Sequence, residues 1–215
     1  MIKFKGIYNK AKDIFAPNMG WSFLHKDEVQ KGPSGEVFFR LEHADGTVEE
    51  HHVKNVITKD FSLLMARLAK DPLEPRHGIF ALAVGSGDVG WDLQNPPVET
   101  EDQRSLHEEI GRKEFAETDF IDPSSGLPVT RPTKVIDFTT TFGESEAVGP
   151  LVEMGLVGGD VNEDTGITAP IEPASGPYGE SLDVTDKDIL CNYLTFPVIN
   201  KPATARLQIV WRISF

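Results

Sequence analysis

The stretch Ala205-Arg206-Leu207-Gln208-Ile209-Val210-Trp211-Arg212-Ile213-Ser214-Phe215 decides the fold class. Ala205, Leu207, Ile209, Trp211, Ile213 and Phe215 fall on one side, and Arg206, Gln208, Arg212 and Ser214 on the other. Only Val210 departs from the alternation. A period of two held this long predicts a half-buried antiparallel strand, because successive side chains of a strand point to opposite faces. A second stretch, Val135–Phe142, repeats the pattern: Ile136, Phe138, Thr140 and Phe142 alternate with Asp137, Thr139 and Thr141.

Outward from these strands, Glu36–His43 and Thr47–Val53 flank Asp45-Gly46. Asp-Gly between strand-like runs predicts a hairpin with a two-residue turn. In that register His43 pairs with Val48 and His51 with Arg40, so the imidazoles do not converge; His43, His51 and His52, beside Glu49 and Glu50, read as exposed strand residues, with a metal site the alternative. Phe61, Leu64, Met65 and Leu68 recur at helical spacing and predict a helix from about Phe61 to Lys70. Thr58 or Asp60 can cap it, and Asp71-Pro72 ends it. Its single apolar stripe predicts packing against a sheet. A further short helix is expected over Ile7–Phe15. Gly78–Val84 reads as a buried strand, Ile110–Phe120 as a strand within a charged region, and Asp122–Gly126 as a turn.

The fold class that follows is mainly β: an antiparallel β-sandwich with one short packed helix and a long acidic Gly/Pro-rich loop. Residues 1–55 form an N-terminal segment carrying the hairpin, part of or packed on a main domain over 56–215, into which residues 158–188 are inserted. Gly158–Asp188 is far longer than the usual connection of about 4–6 residues, and such loops are commonly functional or disordered. Asp160, Asp164, Pro170, Pro173 and Tyr178 are its candidate contact residues.

Of 215 residues, 39% are hydrophobic and 26% charged, which suits a globular core. Asp and Glu number 34 against 21 Lys and Arg, a formal charge of −13 that opposes binding to a phosphate backbone. No apolar run is long enough to span a bilayer. The basic start Met1–Lys5 is followed by no apolar stretch or cleavage site, so no signal peptide is expected. Cys191 is the single cysteine, so no intramolecular disulfide forms.

Motifs for chemistry are few. Gly85-Ser86-Gly87-Asp88-Val89-Gly90 has the dinucleotide-fingerprint spacing, but Trp91–Pro97 cannot supply the helix whose N-terminus receives a pyrophosphate. The run reads as a turn. Asp160, Asn162 and Asp164 have the oxygen spacing of a calcium loop. Gly166 stands one place late, however, and position twelve is Ile171 rather than the adjacent Glu172. An acidic turn is the simpler reading. No zinc-protease, nucleophile-elbow or phosphate-loop motif occurs, so no catalytic residue, cofactor or resident metal is assigned. A hydrolase resting on a carboxylate pair is the remaining enzymatic reading.

The order of segments carries a resemblance. Phe61–Lys70 precedes Phe80-Ala81-Leu82-Ala83-Val84-Gly85-Ser86-Gly87, then Glu108-Glu109-Ile110-Gly111-Arg112-Lys113 and Phe138-Thr139-Thr140-Thr141-Phe142. Glu144, Glu146, Ala147, Glu153-Met154-Gly155-Leu156-Val157 and the Trp211-Arg212-Ile213-Ser214-Phe215 ending follow. Over residues 56–157 and 190–215 this resembles a group of small phage and prophage structural proteins from tail, baseplate, neck or fibre. Their features are an "AVGTG"-like turn, a "TATF…EA" strand, an "E-x-GLF" turn and a "W-x-I-x-F" final strand. The resemblance implies a virion component assembled in the host cytoplasm, a homo-oligomer whose partners are other virion proteins, with no enzymatic role. The alternative is a capsid-decorating or carbohydrate-binding fibre module, which exposed loop aromatics such as Trp91 and Tyr178 would favour.

Overall fold

A computed structural model describes residues 32–70, 78–158 and 189–215. The expected helix over 7–15, the 158–188 loop beyond Gly158, and the candidates Asp160, Asn162, Asp164, Pro170, Pro173 and Tyr178 lie outside the described residues.

The chain is mainly β. Ten antiparallel strands form one sheet, with one short helix among the described residues. The strands are β1 (Ser34–Glu42), β2 (Val48–Ile57), β3 (Ile79–Gly85), β4 (Glu109–Glu114), β5 (Glu117–Ile121), β6 (Pro128–Val129), β7 (Val135–Phe142), β8 (Gly149–Gly158), β9 (Ile189–Lys201) and β10 (Arg206–Ser214). The helix α1 spans Lys59–Lys70. The order across the sheet is β4-β3-β8-β9-β2-β1-β10-β7-β5-β6. No helix among the described residues is long and apolar enough to cross a membrane.

The C-terminal strand sits between β1 and β7, pairing Trp211 with Val37 on one side and Phe138 on the other. Ala205, Leu207, Ile209, Trp211 and Ile213 are all buried, as the alternation predicts. Their cluster also takes in Leu82 and Val84 of β3, Met154 and Leu156 of β8, and Leu194 and Phe196 of β9. Both halves of the sheet therefore feed one core. β2 pairs with β1 along most of its length and with β9 only through Val56 and Ile57. The boundary drawn at residues 55/56 falls inside this strand.

The hairpin turn differs from the two-residue expectation. His43 N donates to Thr47 O at 2.9 Å and Gly46 N to His43 O at 2.9 Å, with Gly46 at φ 84°. This is a three-residue loop closed by a left-handed glycine. Asp45 favours it by accepting from the Thr47 amide and hydroxyl at 2.9 and 2.6 Å. The register consequently moves by one residue, so that His51 pairs with Phe39 and His52 with Phe38. Both imidazoles stack on those rings, at centroid distances of 4.8 and 4.4 Å. The same shift brings His43 Nε2 to 2.8 Å and His51 Nε2 to 4.0 Å from the carboxylate of Glu49. Among the described residues no group of three or more His, Cys, Asp or Glu is placed to hold a metal ion.

The helix buries Phe61 and Leu64, but Met65 is 40% exposed, so the stripe is narrower than its spacing suggests. The Thr58 hydroxyl donates to the Leu190 and Cys191 carbonyls of β9, and Asp60 pairs with Arg104. Both candidate caps thus tie the helix to its neighbours. The single strand expected over 110–120 is two, β4 and β5, broken at Phe115-Ala116 and paired with β3 and β7 respectively. Glu153–Val157, a turn in the resemblance, lies within β8, over its second half.

Candidate functional site

Residues 86–108, between β3 and β4, hold no regular element, yet they are tied down along their length. The anchor is Glu153, whose side chain is 0% exposed. Its Oε1 accepts from the backbone amides of His107 at 2.9 Å, Glu108 at 3.0 Å and Gly87 at 3.2 Å. Its Oε2 accepts from the Tyr193 hydroxyl at 2.7 Å and lies 3.2 Å from His107 Nδ1. One carboxylate on β8 therefore gathers both ends of the loop and a side chain of β9.

Electrostatics follow from that geometry. Burial alone would push the Glu153 carboxyl up. Hydrogen bonds from His107, Glu108 and Tyr193 outweigh it and hold the group below its ordinary value. The hydrogen bond to Glu153 raises the His107 imidazole against the opposing effect of burial. Burial first, then the Glu153 charge, pushes the Tyr193 phenol far above its ordinary value, so Tyr193 remains a hydrogen-bond donor.

The Gly85–Gly90 run has its explanation here. A Cβ on Gly85 would stand 2.6 Å from Glu153 Oε1 and 2.5 Å from the Glu108 carbonyl. Gly87 has φ +74°, and a Cβ there would meet Trp91 Cε3 at 2.5 Å and Val152 Cγ2 at 2.6 Å. These glycines let the loop close over a carboxylate. The turn continues through Trp91 N to Asp88 O at 3.0 Å, and no helix follows it.

Neither a protein-family model nor a curated protein matches the chain.

Further along, Val198 N donates to Leu93 O at 2.8 Å, and the Thr195 hydroxyl donates to Pro97 O at 2.7 Å. Lys59 N donates to Glu101 O, and Arg104 meets Asp60 at 2.8 Å. Leu106 packs with Ala83, Val157, Leu190 and Tyr193 in a second apolar cluster. Val89 and Val98 nevertheless stand 105% and 83% exposed. Trp91 and His107 meet in a T-shaped arrangement, 4.5 Å between ring centroids. Ser86, Gly87, Asp88, Val89, Trp91, Leu93 and Glu108 line an open depression of about 400 Å³.

Chemically, the arrangement can hold a surface in a fixed shape, with a half-buried aromatic and carboxylates at its rim. Sequence reasoning placed Trp91 in a loop but missed Glu153, His107 and Tyr193. The available signal was a lone acid inside the apolar run Leu151-Val152-Glu153-Met154, where an unpartnered charge is costly.

Proposed function

We propose that the chain is a structural component of a bacteriophage virion, in the tail, neck or baseplate, acting through subunit contacts. The observation that carries this reading is the 86–108 loop. It is held by backbone and side-chain bonds to β8, β9 and α1, yet turns Val89 and Val98 outward. A loop ordered in advance binds a partner without the full ordering cost, and outward-facing valines add apolar contact there. The order of segments resembling phage structural proteins supplies the particle context.

We further read the sheet as two layers of a sandwich. β2 and the β4–β5 run would form the corners, since each pairs with strands of both halves of the sheet. Symmetric self-assembly belongs to the same reading.

Mass spectrometry of purified particles, with and without the gene, tests the function. The chain is expected to co-purify with particles, and its deletion to leave them incomplete. Particles that assemble and infect normally without it would overturn the reading.

A further inference from the structure

The geometry points to the depression beside Trp91 as a receptor for an arginine side chain presented by a neighbouring protein. This rests on the docking reading and names the partner chemistry of the same loop. Trp91 and Leu93 line it with Val89 at the rim, and the acidic residues Asp88 and Glu108 belong to the same lining. An indole beside two acidic residues matches a planar, weakly hydrated guanidinium, which stacks on aromatic rings and donates to two carboxylates better than an ammonium does. A net charge of −13 favours a cationic partner over an anionic one and speeds its encounter.

The site is also preformed. The Asp88 carboxylate is fixed by the Gly90 amide at 2.9 Å. Trp91 is placed by its backbone N–H to Asp88 O and by its ring contact with His107. The Glu108 backbone is held by Glu153. Little ordering is then left for the ligand to impose. Val89, standing free at the rim, extends the contact to apolar atoms flanking the arginine.

The test follows the indole N–H resonance of Trp91 in the isolated full chain while N-acetyl-arginine amide is added. The lysine and citrulline counterparts serve as comparisons, citrulline being the neutral near-isostere. A saturable shift is expected with arginine, a weaker one with lysine and none with citrulline. The double variant D88N/E108Q keeps an oxygen for the Gly90 amide and leaves the Glu153 anchor intact. It should bind about tenfold more weakly, with an unchanged melting temperature. Equal shifts from citrulline, unaltered affinity in D88N/E108Q, or no arginine shift at tens of millimolar would each overturn the proposal. A shift with N-acetylglucosamine in place of arginine would overturn it in favour of a glycan. Because the titration uses the isolated chain, its failure is separable from absence of the chain in particles.

Discussion

A carboxylate taken out of water without partners costs several kcal/mol, and Glu153 escapes that cost by accepting from three backbone amides, a phenol and an imidazole. Glu153→Gln keeps the shape but turns an amide NH2 toward some of those donors. We expect a loss of roughly 3 kcal/mol in denaturant unfolding, with faster proteolysis within residues 86–108. Unchanged cleavage there would show that the carboxylate does not hold the loop. His107 contributes a pH dependence with a definite sign. Its raised folded pKa stabilises fully below the unfolded value, about 6.5, and that stabilisation is lost as pH rises through the folded value. Glu153 acts in the opposite direction: its lowered pKa stabilises above the unfolded carboxyl value and is lost on acidification. The melting-temperature gap between the wild type and His107→Gln should therefore be widest below about pH 6.5 and narrow as pH rises through the raised folded value. A gap that widens with rising pH would contradict this assignment.

At the scale of elements, legibility tracks how many faces are buried. β10 has one core face, so its alternation shows in the sequence, and β1 behaves alike. Nearly all of β8, and β9 from Ile189 to Phe196, are buried on both faces, the second under Leu106 and the 86–108 loop. Such strands lose the period of two, and Leu151–Val157 and Ile189–Phe196 gave no alternation to read. β7 is intermediate. Asp137 and Thr139 alternate with the core residues yet are buried, Asp137 through a two-pronged pair with Arg212 at 2.7 and 2.8 Å. The Gly-rich run was legible as a turn, whereas its partner, Glu153, lies more than sixty residues away in sequence. Two left-handed glycines separate turn chemistry from anchoring. Gly46 has open space around its would-be Cβ, so Gly46→Ala should cost only about 1 kcal/mol of backbone strain. Gly87→Ala adds a collision with Trp91 and Val152, and should cost roughly 2–3 kcal/mol and loosen the loop. Equal denaturant midpoints for the two variants would show that the crowding at Gly87 relaxes freely.

For the whole molecule the decisive feature is that one core draws on both halves of the sheet. Trp211, 0% exposed, packs in the same cluster as Leu82 of β3 and Leu156 of β8, although these strands lie far apart across the sheet. If the two halves were separate folding units, a cavity in one would leave the other standing. A shared core gives another result, because each half loses packing partners when the other opens. Trp211→Ala and Leu156→Ala should therefore each cost roughly 3–5 kcal/mol. Both should move a single transition that far-ultraviolet and near-ultraviolet circular dichroism report at the same temperature. Two separated transitions, with Trp211→Ala shifting one and Leu156→Ala the other, would show that the halves unfold independently. The 86–108 loop would then be anchored to the unit holding β8 and β9 alone, since its bonds run to those strands and α1 and none among the described residues reaches β10.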